Sequence, residues 1–185
     1  AVAKGLATRV HGNQLGEGPG AKLAVEYGSL SVDHLGFLND ADFDALAGSW
    51  ENGARGTVAT VLPACDLSTR MPLAPARRLI DAGAVLAIAS NCNPGTSYTS
   101  SMGFSVATAV LQMGLTVPEA VRAATLGGAI ALGFDRAPER SARWAPDRAE
   151  RPARPGGASW QGPARACSSS TRRPLRISRI GPECH

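Results

Sequence analysis

The sequence is poor in aromatic residues and has no long apolar run. Aromatic side chains make up 5% of the 185 residues, although the hydrophobic fraction is 44%, so a core must be built mainly from Ala, Val and Leu. The absence of an apolar stretch of about 18 residues argues against a membrane-spanning helix. The first seven residues are too short and broken for a signal peptide. Neither a Gly-x-Gly-x-x-Gly nor a P-loop motif is present, so nothing favours a nucleotide-binding fold.

The cysteines show no pattern that would define a disulfide framework or a metal site. Four are scattered along the chain, at Cys65, Cys92, Cys167 and Cys184. Free thiols in a reducing, cytoplasmic location are the simplest interpretation. Cys65 and Cys92 fall near predicted strand ends without a neighbouring base, so we interpret both as small loop residues.

The net positive charge of the chain comes from its last quarter. Residues 1–136 carry nine Lys and Arg against eleven Asp and Glu, whereas residues 137–185 carry ten Arg against four acidic residues. Seven prolines also fall in residues 137–185, a composition that cannot build a core. We therefore predict a folded body over 1–136, followed by an irregular basic tail. The tail is either disordered or the product of a reading-frame shift in a GC-rich gene, and the second explanation is favoured.

A basic tail raises the alternative of a non-catalytic protein that binds nucleic acid. Such binding would weaken steeply with salt. The tail has no lysine, no interleaved aromatic residues and no helical period, so we predict no nucleic-acid partner.

The body repeats a strand followed by a helix. Predicted strands end at His11, His34, Leu62 and Asn91, at intervals of 23, 28 and 29 residues. Such a period is typical of βα units with parallel strands. Four units make half of a (β/α)₈ barrel or most of a small doubly wound sheet, and without a nucleotide motif the half barrel is favoured. The last strand, over 84–90, is apolar almost throughout, as expected of a strand covered on both faces.

Capping signals and apolar spacing predict the helices. Asn39 with Asp42, and Thr116 with Glu119, are typical of helix N-termini. Helices are expected over 21–27, from Asn39 to near Gly53, and over 75–82, 101–115 and 117–133. The helix over 101–115 should bury one apolar stripe, formed by Val106, Ala107, Val110 and Leu111.

Two histidines stand at equivalent strand ends. A single histidine is most often structural, but His11 and His34, with Asn91 at a third strand end, indicate a metal or acid–base site. Asp33 could orient the His34 ring, although neighbours on a strand face opposite ways. Gln14 could place its amide in the same cleft or lie in solvent.

The loop after the last strand is the second candidate feature. Asn93, Gly95 and Thr96 offer backbone N–H groups and a hydroxyl just before a helix, which suits a carboxylate or an oxyanion. An ordinary turn with a helix cap would have the same composition.

These residues, in this order, resemble the imidazolonepropionase family of the amidohydrolase superfamily. The similarity covers about residues 1–136 and is closest to the actinobacterial branch. Four motifs carry it: Val10-His11-Gly12-Asn13-Gln14-Leu15, Leu30-Ser31-Val32-Asp33-His34-Leu35, Thr57-Val58-Ala59-Thr60-Val61-Leu62-Pro63 and Ser90-Asn91-Cys92-Asn93-Pro94-Gly95-Thr96-Ser97-Tyr98-Thr99-Ser100-Ser101-Met102. The resemblance implies the C-terminal half, strands five to eight, of a metal-dependent TIM-like barrel.

The resemblance also implies roles for individual residues. His11 and Asn91 correspond to ligands of one Zn²⁺ or Fe ion, and Gln14, His34 and Asn91 to catalytic positions. Gln14 also falls among the substrate-binding positions, together with Asn93, Gly95 and Thr96. The implied reaction is hydrolysis of the ring amide of 4-imidazolone-5-propanoate to N-formimidoyl-L-glutamate, by metal-activated water.

Three departures from the family pattern limit that expectation. The strand-one His-x-His pair and the half of the barrel that carries it are absent, and the tail replaces the family's C-terminal segment. Asn91 stands where the family has Asp, and an amide is a poor ligand and no base. We therefore predict that the isolated chain is inactive. The resemblance implies a small-molecule substrate, and no membrane partner is expected. The chain is expected to associate with itself or with a complementary N-terminal half. A deaminase-like or dihydroorotase-like amidohydrolase is the alternative enzyme.

Overall fold

The computed structural model describes residues 2–51 and 55–134. The predicted tail over 137–185, and with it every expectation about its order or origin, lies outside the described residues. Within the described ranges, no helix combines the length and the apolar character needed to cross a bilayer.

Four parallel strands form a single sheet. They are β1 (Arg9–Gly12), β2 (Ser31–His34), β3 (Val58–Val61) and β4 (Leu86–Ile88), and they lie side by side in chain order. Pairing is parallel throughout, with His11 opposite Asp33 and Ala59 opposite Leu86. The predicted α/β class with parallel strands is confirmed. Because all strands run the same way, their carboxyl ends lie along one edge of the sheet.

Short helices connect and cover the strands. A 3₁₀ turn, Val2–Lys4, precedes β1. The α-helices are α1 (Gly20–Glu26), α2 (Asp40–Gly48), α3 (Pro63–Thr69), α4 (Ala76–Asp81), α5 (Met102–Gln112), α6 (Val117–Arg122) and α7 (Gly128–Ala131), with a π-helical turn, Ala123–Gly127, joining α6 to α7.

The main core lies between one face of the sheet and the helices. Alternate residues of each strand point to this face, as the two-residue period of a strand requires. The buried strand residues Val32, Ala59, Val61, Leu86 and Ile88 cluster with Ala21, Phe43, Leu46, Leu79, Ala109 and Ala120 of the helices.

The opposite face of the sheet is covered by the last described helix. Val58 and Ala87 pack against Ile130 and Ala131 of α7. The guanidinium of Arg9 donates to the carbonyl of Ala131 at 2.5 Å, and that of Arg55 to the carbonyl of Ile130. Both arginines therefore satisfy carbonyls that the helix itself leaves open.

The predicted caps agree with the structure, whereas one helix was missed. Asn39 and Thr116 each form a complete capping box, with Asp42 and Glu119 as partners. The strand predicted to end at Leu62 is followed at once by α3, which was not predicted. Pro63 occupies the first turn of α3, where a missing N–H costs nothing. The helix predicted from Asn39 to near Gly53 ends earlier, at Gly48.

The predicted apolar stripe of α5 is wrong in part. Val106 and Val110 are half-buried, but Ala107 and Leu111 are exposed. Small residues, Ser105, Thr108 and Ala109, form the buried side instead. The hydroxyls of Ser105 and Thr108 donate to carbonyls one turn earlier, which removes most of the penalty for burying them.

Candidate functional site

Two histidine rings meet at the carboxyl edge of the sheet. Parallel register places His34 opposite Gly12, one residue beyond His11. Nε2 of His34 lies 3.0 Å from Nδ1 of His11, and the ring centroids are 5.1 Å apart with 37° between the planes. His11 is exposed, whereas His34 is only 3% exposed. One ring donates and the other accepts in this hydrogen bond, and the tautomers decide which.

Backbone strain marks the end of β2. His34 and Leu35 have φ values of +82° and +62°, in the left-handed region that bulky residues rarely adopt. The N–H of Leu35 donates to the carbonyl of Gly12 at 3.1 Å, and the Leu35 side chain is fully buried. Strain of this kind persists only where the surroundings enforce it, and it is typical of functional sites.

The two residues predicted to assist the histidines have different environments. Asp33 accepts a hydrogen bond from the Ser31 hydroxyl at 3.0 Å, and no hydrogen bond joins it to the His34 ring in the described residues. Gln14 is half-buried, and its side chain makes no hydrogen bond there. Its catalytic and substrate-binding roles stay predictions.

Asn13, which sequence reasoning did not single out, organises the loop after β1. Its Nδ2 donates to the carbonyl of Phe37 at 2.8 Å and of Gly18 at 3.1 Å, and to Asp42 Oδ2 at 3.3 Å. Its Oδ1 accepts from the N–H of Ala21 at 3.1 Å. The available sequence signal was an asparagine within a Gly-rich loop, since asparagine tolerates the positive φ, +53°, that Asn13 adopts.

The loop after β4 is held together by the Asn93 side chain. Asn93 Oδ1 accepts from the N–H groups of Gly95 and Thr96, each at 2.8 Å, and Nδ2 donates to the Asn91 carbonyl at 2.7 Å and the Thr96 hydroxyl at 2.9 Å. The two N–H groups are therefore engaged inside the loop. The prediction that Asn93, Gly95 and Thr96 bind substrate stays a prediction.

The two predicted metal ligands lie at opposite edges of the described sheet, in its first strand and after its last. His11 belongs to β1, and Asn91 follows β4 with a φ of +52°. Adjacent strands are about 4.8 Å apart, so three spacings separate these positions by about 14 Å along a flat sheet. No hydrogen bond joins the two residues in the described ranges. The Asn91 amide donates to the Thr96 hydroxyl at 3.3 Å.

A buried trio lies beside the histidine pair. One ring nitrogen of His34, Sγ of Cys65 and a carboxylate oxygen of Asp66 lie within 4.8 Å of one another, and all three residues are buried. Interpreting Cys65 as a loop residue was wrong, because it is fully buried in the first turn of α3. No helix was predicted directly after Leu62, so Cys65 was assigned to a loop.

Burial is the main influence on the pKa values of Asp66 and His34. It raises the pKa of Asp66 to about 7, against a backbone hydrogen bond with Ala74 that lowers it. Burial, and after it the charge of His11, lowers the pKa of His34, while Asp33 raises it. Low-dielectric surroundings disfavour the charged form of each group.

Sequence comparison finds that the chain is similar to imidazolonepropionases. No family model matches it. It is 70% identical over 132 residues to an imidazolonepropionase from Arthrobacter sp., covering 69% of this chain and 33% of that protein. Imidazolonepropionases from Micrococcus luteus and Mycolicibacterium smegmatis are 64% and 54% identical over 138 and 134 residues.

One solved structure resembles the fold of this chain. An adenosine deaminase from Xanthomonas campestris with bound zinc aligns with a TM-score of 0.59 and 25% identity, over 72% of this chain and 34% of that one. The chain spans about one third of the length of the curated relatives it matches. It is thus related by sequence to the imidazolonepropionases, over a stretch equal to about one third of their length.

Proposed function

We propose that this chain is part of an imidazolonepropionase, a hydrolase that opens the ring amide of 4-imidazolone-5-propanoate to give N-formimidoyl-L-glutamate. The observation that carries the proposal is the identity of 54–70% with imidazolonepropionases over about 70% of the chain. The hydrogen-bonded histidine pair, in which His34 has a strained backbone, lies at the carboxyl end of the parallel sheet, where α/β enzymes usually bind substrate. The alternative, a deaminase activity, is supported only by the similarity to the adenosine deaminase, at 25% sequence identity.

The four βα units are proposed to form half of a closed barrel. A barrel would curve the sheet and bring His11 and Asn91 towards a common centre at its carboxyl face. Support comes from the parallel order β1 to β4 and from the likeness to the zinc-bound adenosine deaminase.

The two predicted ligands, His11 and Asn91, do not by themselves fit a catalytic metal. A catalytic zinc takes three protein ligands and a water. Here His11 offers one exposed imidazole and Asn91 one neutral amide, and they lie at opposite edges of the sheet, in β1 and after β4. We propose that Zn²⁺ or Fe binds at His11 only when further donors come from outside the described residues. A polypeptide of these 185 residues is accordingly expected to be inactive.

The residues of this chain would then position the substrate. Gln14 and His34 lie at adjacent strand ends, where the resemblance puts substrate contacts and proton transfer. Asn93 fixes the loop that carries Gly95 and Thr96, and rearrangement of its hydrogen bonds would free the two N–H groups for the substrate carboxylate.

A complementary half is the proposed macromolecular partner. In the described sheet β1 has a strand neighbour on one side only, and such an edge pairs readily with another strand. Closure of a barrel at β4 would require Gly127 to move, because it packs directly against the backbone of Leu86. Self-association through β1 would use the same edge.

A chimera tests the proposal. In the chimera, the segment of the Arthrobacter enzyme that aligns with this chain, about one third of that enzyme, is replaced by the present sequence. Two versions are compared, one with Asn91 and one with the substitution Asn91→Asp. We expect the chimera with Asn91→Asp to hydrolyse 4-imidazolone-5-propanoate, with kcat/KM about 10²–10⁴ times that of the chimera without the substitution, because a carboxylate can act as a base. Cys92→Ser, at an exposed neighbouring thiol, is the control and should change nothing.

Two results would each contradict one part of the proposal. One is a chimera that carries Asn91→Asp and folds but does not turn over the imidazolone, with adenosine assayed in parallel as the competing substrate. The other is turnover by the isolated 185-residue chain with added Zn²⁺ or Fe, which would contradict the expected inactivity.

A further inference from the structure

The buried trio of His34, Cys65 and Asp66 contains two polar atoms without partners. Nδ1 of His34 and Oδ2 of Asp66 are buried and make no hydrogen bond. Each residue is 3% exposed, and Cys65 is fully buried. Buried polar atoms are almost always satisfied in folded proteins, so two orphans beside one thiol require an explanation. A hydrogen bond between the carboxyl and the ring would satisfy both atoms, but it is not formed.

The trio has the donor set of a transition-metal site. Imidazole nitrogen, thiolate sulfur and carboxylate oxygen are the three ligand types that zinc uses in proteins. Calcium and magnesium take oxygen ligands, so the thiol argues against both. The donor atoms of all three residues lie within 4.8 Å of one another, close enough to share one ion.

The surroundings hold these donors in place. Nε2 of His34 is engaged with His11, which leaves Nδ1 as the nitrogen available for an ion. Metal-bound histidines commonly use their second nitrogen in such a hydrogen bond. Cys65 and Asp66 are consecutive in α3, and both of their N–H groups donate to the carbonyl of Leu62. The Thr69 hydroxyl donates to the Cys65 carbonyl at 2.8 Å.

We infer that His34 Nδ1, Cys65 Sγ and Asp66 Oδ2 form a second, sulfur-containing site that binds a divalent zinc ion. It is distinct from the metal position at His11, which contains no sulfur, and it does not depend on the proposed hydrolysis. Three protein ligands leave the fourth tetrahedral position to water or to a small ligand.

Cobalt titration of the purified, metal-free full chain tests the site. Co²⁺ bound to a thiolate gives a charge-transfer band in the near ultraviolet, and an imidazole–carboxylate site does not. We expect the band to saturate at one equivalent of Co²⁺ and to disappear when Zn²⁺ is added. Cys65→Ser should abolish the band. Cys92→Ser, at the exposed thiol, should leave it unchanged.

A second variant covers the case in which Cys65→Ser fails to fold. Asp66→Asn keeps the size of the side chain and the thiolate. The variant should retain the band but bind Co²⁺ at least about 10-fold more weakly. Loss of a residue that only hydrogen-bonds to a metal ligand already lowers metal affinity about 10–100-fold, so loss of a ligand should cost at least as much. His11→Gln should also keep the band, because His11 is not a ligand of this site.

Three outcomes would overturn the inference. They are no band in the unchanged chain, a band that persists in Cys65→Ser, and undiminished affinity in Asp66→Asn. Failure of the chimera to hydrolyse imidazolone would not affect these results, because the band reports sulfur ligation and not turnover.

Discussion

Asparagine side chains organise both loops beside the histidine pair. Asn13 joins the loops after β1 and β2 to the start of α2, through contacts to Phe37 and Asp42. Asn93 closes the loop after β4 on itself. Asparagine suits these positions because its short amide hydrogen-bonds to nearby backbone and because it tolerates positive φ. Asn13 is therefore a structural residue at the edge of the site.

Replacement of Asn13 should cost much more stability than replacement of its neighbour. Asn13 is only 7% exposed, and Asn13→Ala leaves the Ala21 N–H and the Phe37 carbonyl without their hydrogen-bond partner. We expect a loss of about 2–4 kcal/mol in the free energy of unfolding, measured by urea denaturation. Gln14→Ala, whose side chain makes no hydrogen bond in the described residues, should change it by less than about 0.5 kcal/mol. Equal effects of the two substitutions would refute this assignment.

At the scale of elements, the turn from α6 to α7 is fixed by one close contact. The π-helical turn Ala123–Gly127 brings Gly127 against the backbone of Leu86 in β4, with no room for a Cβ. Gly128, the next residue, has open space at its Cβ position. A π turn usually marks a local adjustment of a helix, and here it accommodates the crossing over the edge strand.

Two neighbouring glycines provide a matched pair for this contact. Gly127→Ala should destabilise the chain by at least about 2 kcal/mol, because the added methyl collides with backbone that cannot move aside easily. Gly128→Ala should be neutral or stabilise it by up to about 1 kcal/mol, since alanine favours the helix. Guanidinium denaturation of both variants measures the difference. A Gly127→Ala variant as stable as Gly128→Ala would show that the close approach is not maintained in solution.

At the scale of the whole molecule, one arginine links helices that are far apart in sequence. Arg77 of α4 contacts both carboxylate oxygens of Glu119 in α6, at 3.0 and 2.8 Å, and also pairs with Asp81. Hydrogen bonds from the Thr116 N–H and then from its hydroxyl, followed by that from Arg77, lower the pKa of Glu119 to about 2. The same carboxylate therefore caps α6 and fastens it to α4.

The lowered pKa predicts the direction of a pH effect on stability. The unfolded-state pKa of Glu119 is about 4.5 and the folded value about 2, so ionised Glu119 stabilises the fold above pH 4.5. That contribution should be lost as the pH falls from about 4.5 to about 2. Glu119→Gln should lower the melting temperature at pH 7, and its difference from the unchanged chain should shrink over that window.

A surface acid serves as the control for this measurement. Glu26→Gln, at an exposed residue of α1 without an ion pair in the described residues, should show no such convergence. A difference between Glu119→Gln and the unchanged chain that stays constant from pH 7 to pH 3 would contradict the assigned role of the carboxylate.

Local chemistry made several features predictable. The strand ends at His11 and His34, the parallel α/β class and the caps at Asn39 and Thr116 each depend on a few neighbouring residues, and the structure agrees with them. Features that depend on distant partners were not predictable in this way. The burial of Ser105 and Thr108 in α5, for example, depends on what packs against the helix.

The four strands, most of the helices, the caps and the family resemblance follow from the sequence, because motif spacing and capping are properties of short segments. That Cys65 and Asp66 lie beside His34, more than 30 residues away in the chain, and that α7 covers Val58 and Ala87, follows only from the packing of distant segments. Burial and close approach arise from contacts between segments. Their consequences, such as the raised pKa of Asp66, therefore cannot be assigned to any one stretch of the chain.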